Sequence, residues 1–150
     1  MIELAAALFL GASRTEVPPE TWNCRNQVEV WCAADGCAAT PPDESTPMDI
    51  WASLGASGEG EISACAYSGC WEGKAAMSSA AGRLLWIGDD LPFVSAIEGA
   101  TGDVTLLILA EDGVGFIRVG GIATPLLCVR RLPFDDKAAG ASVAPEGDAR

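Results

Sequence analysis

Residues 103–129 read DVTLLILAEDGVGFIRVGGIATPLLCV, and this stretch decides the fold class of the 150-residue chain. Two β-like runs, 104–110 and 114–119, flank an Asp-Gly pair, which favours the positive-φ positions of a two-residue hairpin turn. The expected register pairs Ala110 with Gly115, Ile108 with Ile117 and Leu106 with Val119. Another β-like run over 122–129 follows Gly120-Gly121, so the stretch predicts three consecutive antiparallel strands.

The rest of the chain repeats this pattern of short apolar runs separated by Gly, Pro, Asp and Ser. Further strands are expected over 22–33, 49–54, 61–67, 71–75 and 83–87. We therefore predict an all-β fold, a small antiparallel β-sandwich or β-barrel of about 7–8 strands stapled by disulfides. The alternative is an α+β fold with helices over 75–81 and 93–99.

The cysteines carry the strongest local signal, because two C-x4-C units occur over 32–37 and 65–70. Cysteines that face each other across a short hairpin lie within disulfide reach. The predicted bonds are Cys32–Cys37, Cys65–Cys70 and Cys24–Cys128. Other connectivities stay open, notably bonds that cross between the two units. A second alternative is a cytosolic domain that binds zinc through the four cysteines of the two units.

The N-terminal segment favours disulfide bonds over zinc binding for these cysteines. Residues 4–12 form an apolar run that has the length of a signal-peptide core and is far shorter than the roughly 20 residues of a transmembrane helix. The expected organisation is a signal peptide over 1–13, a linker over 14–21, one β domain over 22–134 and a disordered acidic tail over 135–150. The expected location is periplasmic or extracellular. A short element packed on the core is the alternative for the first segment, because no Lys or Arg precedes the apolar run.

Charge narrows the classes of function. The chain has 9 basic and 21 acidic residues, a net charge of −12, and no histidine. This charge argues against nucleic-acid partners and anionic membrane surfaces, and the lack of histidine excludes Ser-His-Asp and Cys-His catalysis. We expect no cofactor, no stable membrane insertion, and a protein or saccharide of the cell envelope as the partner.

The candidate binding surface is Tyr67 and Trp71, which lie inside and just after the second C-x4-C unit. A hairpin tip projects outward, so aromatic side chains there are candidates for contact with a partner. Packing on the core is the alternative, since indoles often cover disulfides. We predict a non-catalytic binding module, and a non-catalytic role is favoured over an enzymatic one.

The rival function is a carboxylate- or metal-dependent hydrolase that uses Asp89, Asp90 and Glu111. Paired carboxylates can act as general acid and base when they lie within about 5–10 Å of each other. The alternative for Asp89 and Asp90 is a solvated loop after an apolar strand.

Three short stretches resemble the small secreted bacterial inhibitors of C-type lysozyme. They are Trp22-Asn23-Cys24, Tyr67-Ser68-Gly69 and the late Cys128. The resemblance implies a small β-barrel. The two C-x4-C units depart from that family's pattern, and no site residue is carried over from it.

Overall fold

The computed structural model describes residues 20–41, 43–55, 58–67, 69–95 and 99–132. The predicted signal peptide and the predicted acidic tail lie outside these residues, as does nearly all of the predicted linker. The described part of the chain forms ten β-strands. They are β1 (Thr21–Asn26), β2 (Glu29–Ala33), β3 (Gly36–Thr40), β4 (Asp49–Leu54), β5 (Glu59–Ala66), β6 (Gly69–Ala80), β7 (Arg83–Val94), β8 (Thr101–Leu109), β9 (Val114–Val119) and β10 (Ile122–Arg131).

Eight of these strands close into an antiparallel barrel. The hydrogen-bonded order is β1-β4-β5-β6-β7-β8-β9-β10, and pairing of β10 with β1 closes the ring. The β2–β3 hairpin is attached to β10, where Trp31 pairs with Ile122 and the Cys32 N–H donates to the Gly121 carbonyl over 2.9 Å. The all-β prediction is confirmed, and of its two forms the barrel is the one present. The described residues contain no helix long and apolar enough to cross a membrane.

Every second side chain along the strands points inward, and these side chains fill the barrel interior. Buried and exposed residues alternate in β9 and along most of β10, as expected for a sheet with one wet face. The largest interior side chain is Trp86, whose indole N–H donates to the Ser53 carbonyl over 2.9 Å. Other fully buried side chains include Met48, Ile62, Leu106, Ile108 and Ile117.

The three disulfides have the predicted connectivity. Each joins residues that face each other directly on neighbouring antiparallel strands. Two of them close the β2–β3 and β5–β6 hairpins, and the third joins β1 to β10 across a sequence separation of 104. The bonds are Cys32–Cys37, Cys65–Cys70 and Cys24–Cys128. Structural disulfides of this number indicate an oxidising, non-cytosolic location.

The predicted register of the β8–β9 hairpin is wrong by two residues. Ile108 faces Gly115 and Leu106 faces Ile117, so the connection has four residues instead of two. Gly113 alone adopts positive φ (65°), and its N–H donates to the Leu109 carbonyl over 2.9 Å. A longer loop of this kind also accommodates Asp-Gly. A shift of two residues preserves side-chain direction, so Leu106, Ile108 and Ile117 still share one face, which is buried in the barrel.

The α+β alternative, with its helix over 75–81, is wrong. These residues continue β6 to Ala80, and Ala81-Gly82 forms the turn into β7 with φ values of 48° and 74°. Ala75 is buried in the barrel, and β6 is paired on both sides, by β5 and β7. Cross-strand pairing and burial therefore override the helical preference of an alanine-rich stretch. In the second proposed helix, 93–99, the first two residues belong to β7.

The single strand expected over 22–33 divides into β1 and β2 at Gln27 and Val28. The break lets β1 stay within the barrel while β2 turns away to pair with β3. As a consequence Glu29 is buried and Val30 is only half-buried, which reverses the burial that continuous alternation would give.

Candidate functional site

One end of the barrel carries exposed aromatic side chains, and we call it the aromatic end. It is formed by the β5–β6 turn at Tyr67, the β9–β10 turn at Gly120-Gly121, and the attached β2–β3 hairpin. The segment between β3 and β4 also runs across this end, since Thr46 and Met48 are hydrogen-bonded to Asn26 at the end of β1.

Glu29 is the polar centre of the aromatic end. Only 3% of the residue is exposed, although it carries a carboxylate. Its Oε1 accepts hydrogen bonds from the Trp31 indole N–H and, over 2.5 Å, from the Tyr67 hydroxyl. Its Oε2 accepts the Thr46 backbone N–H over 2.7 Å. One carboxylate thus joins β2, the β5–β6 turn and the segment that leads into β4.

The hydrogen bonds set the ionisation of this group. Burial alone would raise the pKa of Glu29, but the bonds from Tyr67, Thr46 and Trp31 outweigh burial and hold the pKa below its ordinary value. The bond to Glu29, with burial second, raises the pKa of Tyr67, so Tyr67 remains a neutral phenol that donates. In the described part of the chain the ion pairs are Arg25–Asp49 and Arg130–Glu20, so Glu29 is an anion without a cationic partner there.

Trp31 and Tyr67 form an exposed aromatic pair above this carboxylate. Their ring centroids are 6.5 Å apart, with an angle of 42° between the ring planes. Tyr67 is 60% exposed and Trp31 is 43% exposed, although both are fixed through their polar atoms. Tyr67 itself has positive φ (56°), a conformation that turns its side chain out of the β5–β6 hairpin and costs a non-glycine residue about 1 kcal/mol.

The two residues predicted to form a binding surface do not share this environment. Tyr67 is at the aromatic end, whereas Trp71 lies four residues further along β6 and is half-buried against Phe93, with 4.4 Å between ring centroids. The indole of Trp71 also covers Gly102, where a Cβ would come within 2.8 Å of its Nε1. The structure therefore brings Tyr67 together with Trp31, and Trp71 has the contacts of a packed side chain.

The three acidic residues predicted as a hydrolytic site lie apart. Asp89 and Asp90 belong to β7 and are not in a loop; they form a bulge at which Asp90 has φ 51° and its N–H donates to Asp103. Glu111 is in the β8–β9 connection at the opposite end of the barrel. Arg83 of β7 pairs with Leu109, just before Glu111, and the strand from Arg83 to Asp89 and Asp90 is about 20–23 Å long. No group of His, Cys, Asp and Glu side chains suited to a metal ion occurs among the described residues.

The four cysteines required by the zinc alternative are those of the β2–β3 and β5–β6 disulfides. A disulfide sulfur is not a thiolate, so these residues do not provide a four-thiolate site in this structure.

Glu29 and Trp31 are the members of the site that the sequence did not single out. Their i, i+2 spacing does place them on one face of a strand, as the pattern of β2 predicts. No pattern in the sequence indicates the strand break at Gln27 and Val28. This break places the face that carries Glu29 and Trp31 over the end of the barrel.

Comparisons with protein-family models, curated proteins and solved structures find no match to this chain.

Proposed function

We propose that this protein is a secreted, non-catalytic binding module that recognises its partner with Trp31 and Tyr67 at the aromatic end. The supporting observation is that both side chains are exposed and yet fixed by hydrogen bonds to Glu29. Aromatic groups held in the bound orientation lose little conformational entropy when a partner docks, and they are common among residues that dominate binding energy.

The two hairpin disulfides support the same role. Cys32 follows Trp31 directly, and Cys65 lies two residues before Tyr67, so each aromatic side chain is next to a cross-linked strand pair. Such cross-links limit the motion of the hairpins that carry the pair. We further propose a periplasmic or extracellular location, with a partner in the cell envelope, since disulfides persist in these compartments.

A capture experiment tests the proposal. The wild-type chain and the double variant Trp31→Ala/Tyr67→Ala are immobilised and exposed to the same envelope extract. The control is Phe116→Ala, because Phe116 on the barrel wall has the same 43% exposure as Trp31. We expect at least one species bound by wild type and by Phe116→Ala to be lost with the double variant, while circular dichroism and Tm show that the variant remains folded.

The opposite result would be equal capture by all three proteins. In that case the aromatic end is not the binding surface and the proposal fails. If the double variant unfolds, the milder pair Trp31→Leu and Tyr67→Leu replaces it, since leucine keeps apolar area at both positions.

A further inference from the structure

The charges of the barrel are unevenly distributed between its two ends. The strand registers bring acidic residues to the aromatic end from five different segments. They are Glu29, Asp35, Asp43, Glu44, Asp49 and Asp103. Arg83, Arg130 and Arg131 lie at the opposite end, and Lys74 lies mid-barrel in the same stretch of the β6–β7 pair as Asp89 and Asp90. Two arginines are closer to the aromatic end: Arg25, which is paired with Asp49, and the exposed Arg118 of β9, which pairs with Ala123 beside the Ile122 that faces Trp31. The opposite end also carries five acidic residues, Glu20, Glu59, Glu61, Glu111 and Asp112, but against three arginines, so the excess of negative charge is larger at the aromatic end, with six acidic residues against two arginines.

A shallow groove runs beside Trp31 along the β2–β3 hairpin. It is bounded by Trp31, the Asp35 region of the β2–β3 turn, the Cys32–Cys37 disulfide and Gly121. The indole lies directly on Gly121, where a Cβ would come within 2.8 Å of ring atoms Cε3 and Cζ3. The absence of a side chain at Gly121 thus permits the ring position, and an indole and an exposed carboxylate line the same groove.

The Glu29 carboxylate changes the electronic character of this indole. A hydrogen bond from the indole N–H to an anion increases the electron density of the ring and strengthens its attraction for a cation. Glu29 is too buried to contact a ligand, so it acts through its charge and through the ring. Asp35, at the exposed turn, is free to meet a ligand directly.

We infer that the groove beside Trp31 binds an arginine or lysine side chain of a basic protein partner, seated on the indole next to the Asp35 carboxylate. The inference rests on the proposed function and specifies the chemistry of its partner. A cationic side chain would obtain favourable binding energy from the ring face, from Asp35 and from the negative potential of this end. A neutral saccharide would gain from ring stacking alone, and an anionic partner would be repelled.

The test uses a defined probe, a capped peptide of alternating glycine and arginine. Binding is measured by calorimetry and by the NMR shift of the Trp31 indole N–H, which the variant Trp31→Phe identifies. We expect a saturable shift of this resonance. Trp31→Leu should weaken binding about tenfold, because it keeps apolar area on Gly121 but removes the aromatic ring. Phe116→Ala should bind as wild type does.

Matched charge variants distinguish binding at a defined site from non-specific electrostatic attraction to the whole protein. Asp35→Asn should weaken the peptide several-fold more than Asp112→Asn, which removes the same charge at the opposite end. Equal effects of these two variants, or peptide binding that is unchanged in Trp31→Leu, would mean diffuse attraction and would overturn the inference.

A neutral oligomer of N-acetylglucosamine is the second probe. If it shifts the Trp31 resonance and the peptide does not, the partner is a saccharide, and the inference fails while the proposed function stands. If neither probe shifts the resonance, the inference again fails, and the envelope-capture experiment decides the proposed function separately.

Discussion

The Tyr67 hydroxyl donates a 2.5 Å hydrogen bond to the carboxylate of Glu29, a residue 38 positions away in the sequence. This bond connects the β5–β6 turn to the hairpin attached at β10, two parts of the chain on separate sides of the barrel. It also explains how a side chain that is 60% exposed can have a fixed orientation. The aromatic end is therefore built by a long-range contact and not by either hairpin alone.

Replacing Tyr67 by Phe removes this donor and retains the ring. We expect the free energy of unfolding to fall by about 1.5–3 kcal/mol, the usual value for a hydrogen bond to a charged group. Urea unfolding at neutral pH measures the change. Ser63→Ala is the control, because Ser63 makes an exposed bond to Glu72, and its removal should change stability by less than about 0.5 kcal/mol.

Glu29 should make stability depend on pH in the acid range. Its pKa is lower in the folded chain than the ordinary 4.5, so the folded state favours the ionised form. The resulting stability is fully present above the unfolded pKa and is lost as the pH falls through the folded pKa. Subtracting the unfolding free energies of Glu29→Gln from those of wild type between pH 7 and pH 3 should give a difference that shrinks below about pH 4.5. A constant difference would contradict the assignment.

The three disulfides should contribute unequally. Cys24–Cys128 spans 104 residues, and chain entropy assigns it about 4–5 kcal/mol, compared with about 2 kcal/mol for a bond that spans five. The paired variant Cys24→Ala/Cys128→Ala should therefore lose about twice as much stability as Cys32→Ala/Cys37→Ala. Urea unfolding of the two variants provides the comparison, and equal losses would show that loop length is not the controlling quantity.

Ala81 is a position at which the sequence is not optimal for its structure. Ala81 and Gly82 both have positive φ in the two-residue turn between β6 and β7, and such turns favour Asn-Gly. Ala81→Asn should raise the free energy of unfolding by about 0.5–1 kcal/mol, with a corresponding rise in Tm. Ala81→Val is the matched contrast and should lower Tm, since a β-branched residue tolerates positive φ poorly.

Trp71 and Trp31 should respond differently to truncation. Trp71 packs on Phe93 and over Gly102, so Trp71→Ala should cost about 2–4 kcal/mol of stability. Trp31 is more exposed, and Trp31→Ala should cost less while reducing binding at the aromatic end. Thermal unfolding of both variants checks this order, and the reverse order would place Trp31 in the structural core.

Much of the fold was accessible from the sequence because its signals are local. The alternation around Leu106 and Ile117 and the spacing of the C-x4-C units depend on neighbours along the chain. The errors arose where tertiary contacts determine the secondary structure or the strand register. Pairing with β5 and β7 makes residues 75–80 a strand, and a four-residue connection, which the Asp-Gly pair did not indicate, sets the β8–β9 register.

The candidate site was harder to predict than the fold. Tyr67 could be selected because a turn between two cysteines projects outward. Its partner Glu29 had no distinguishing pattern, since an acidic residue in a strand is ordinarily solvated. Only the closed barrel, with the β2–β3 hairpin lying across its end, brings the two residues together.

The pairing of β1 with β10 is the seam at which the ring closes, and Cys24–Cys128 lies on it. If this seam opened, both strands would present unpaired backbone N–H and C=O groups to solvent. Such edges act as templates for strands of other molecules and lead to domain swapping or aggregation. A covalent bond across the seam therefore does more than add stability. It keeps the hydrogen-bonding capacity of the first and last strands within one molecule, which protects the protein from polymerising with its own copies.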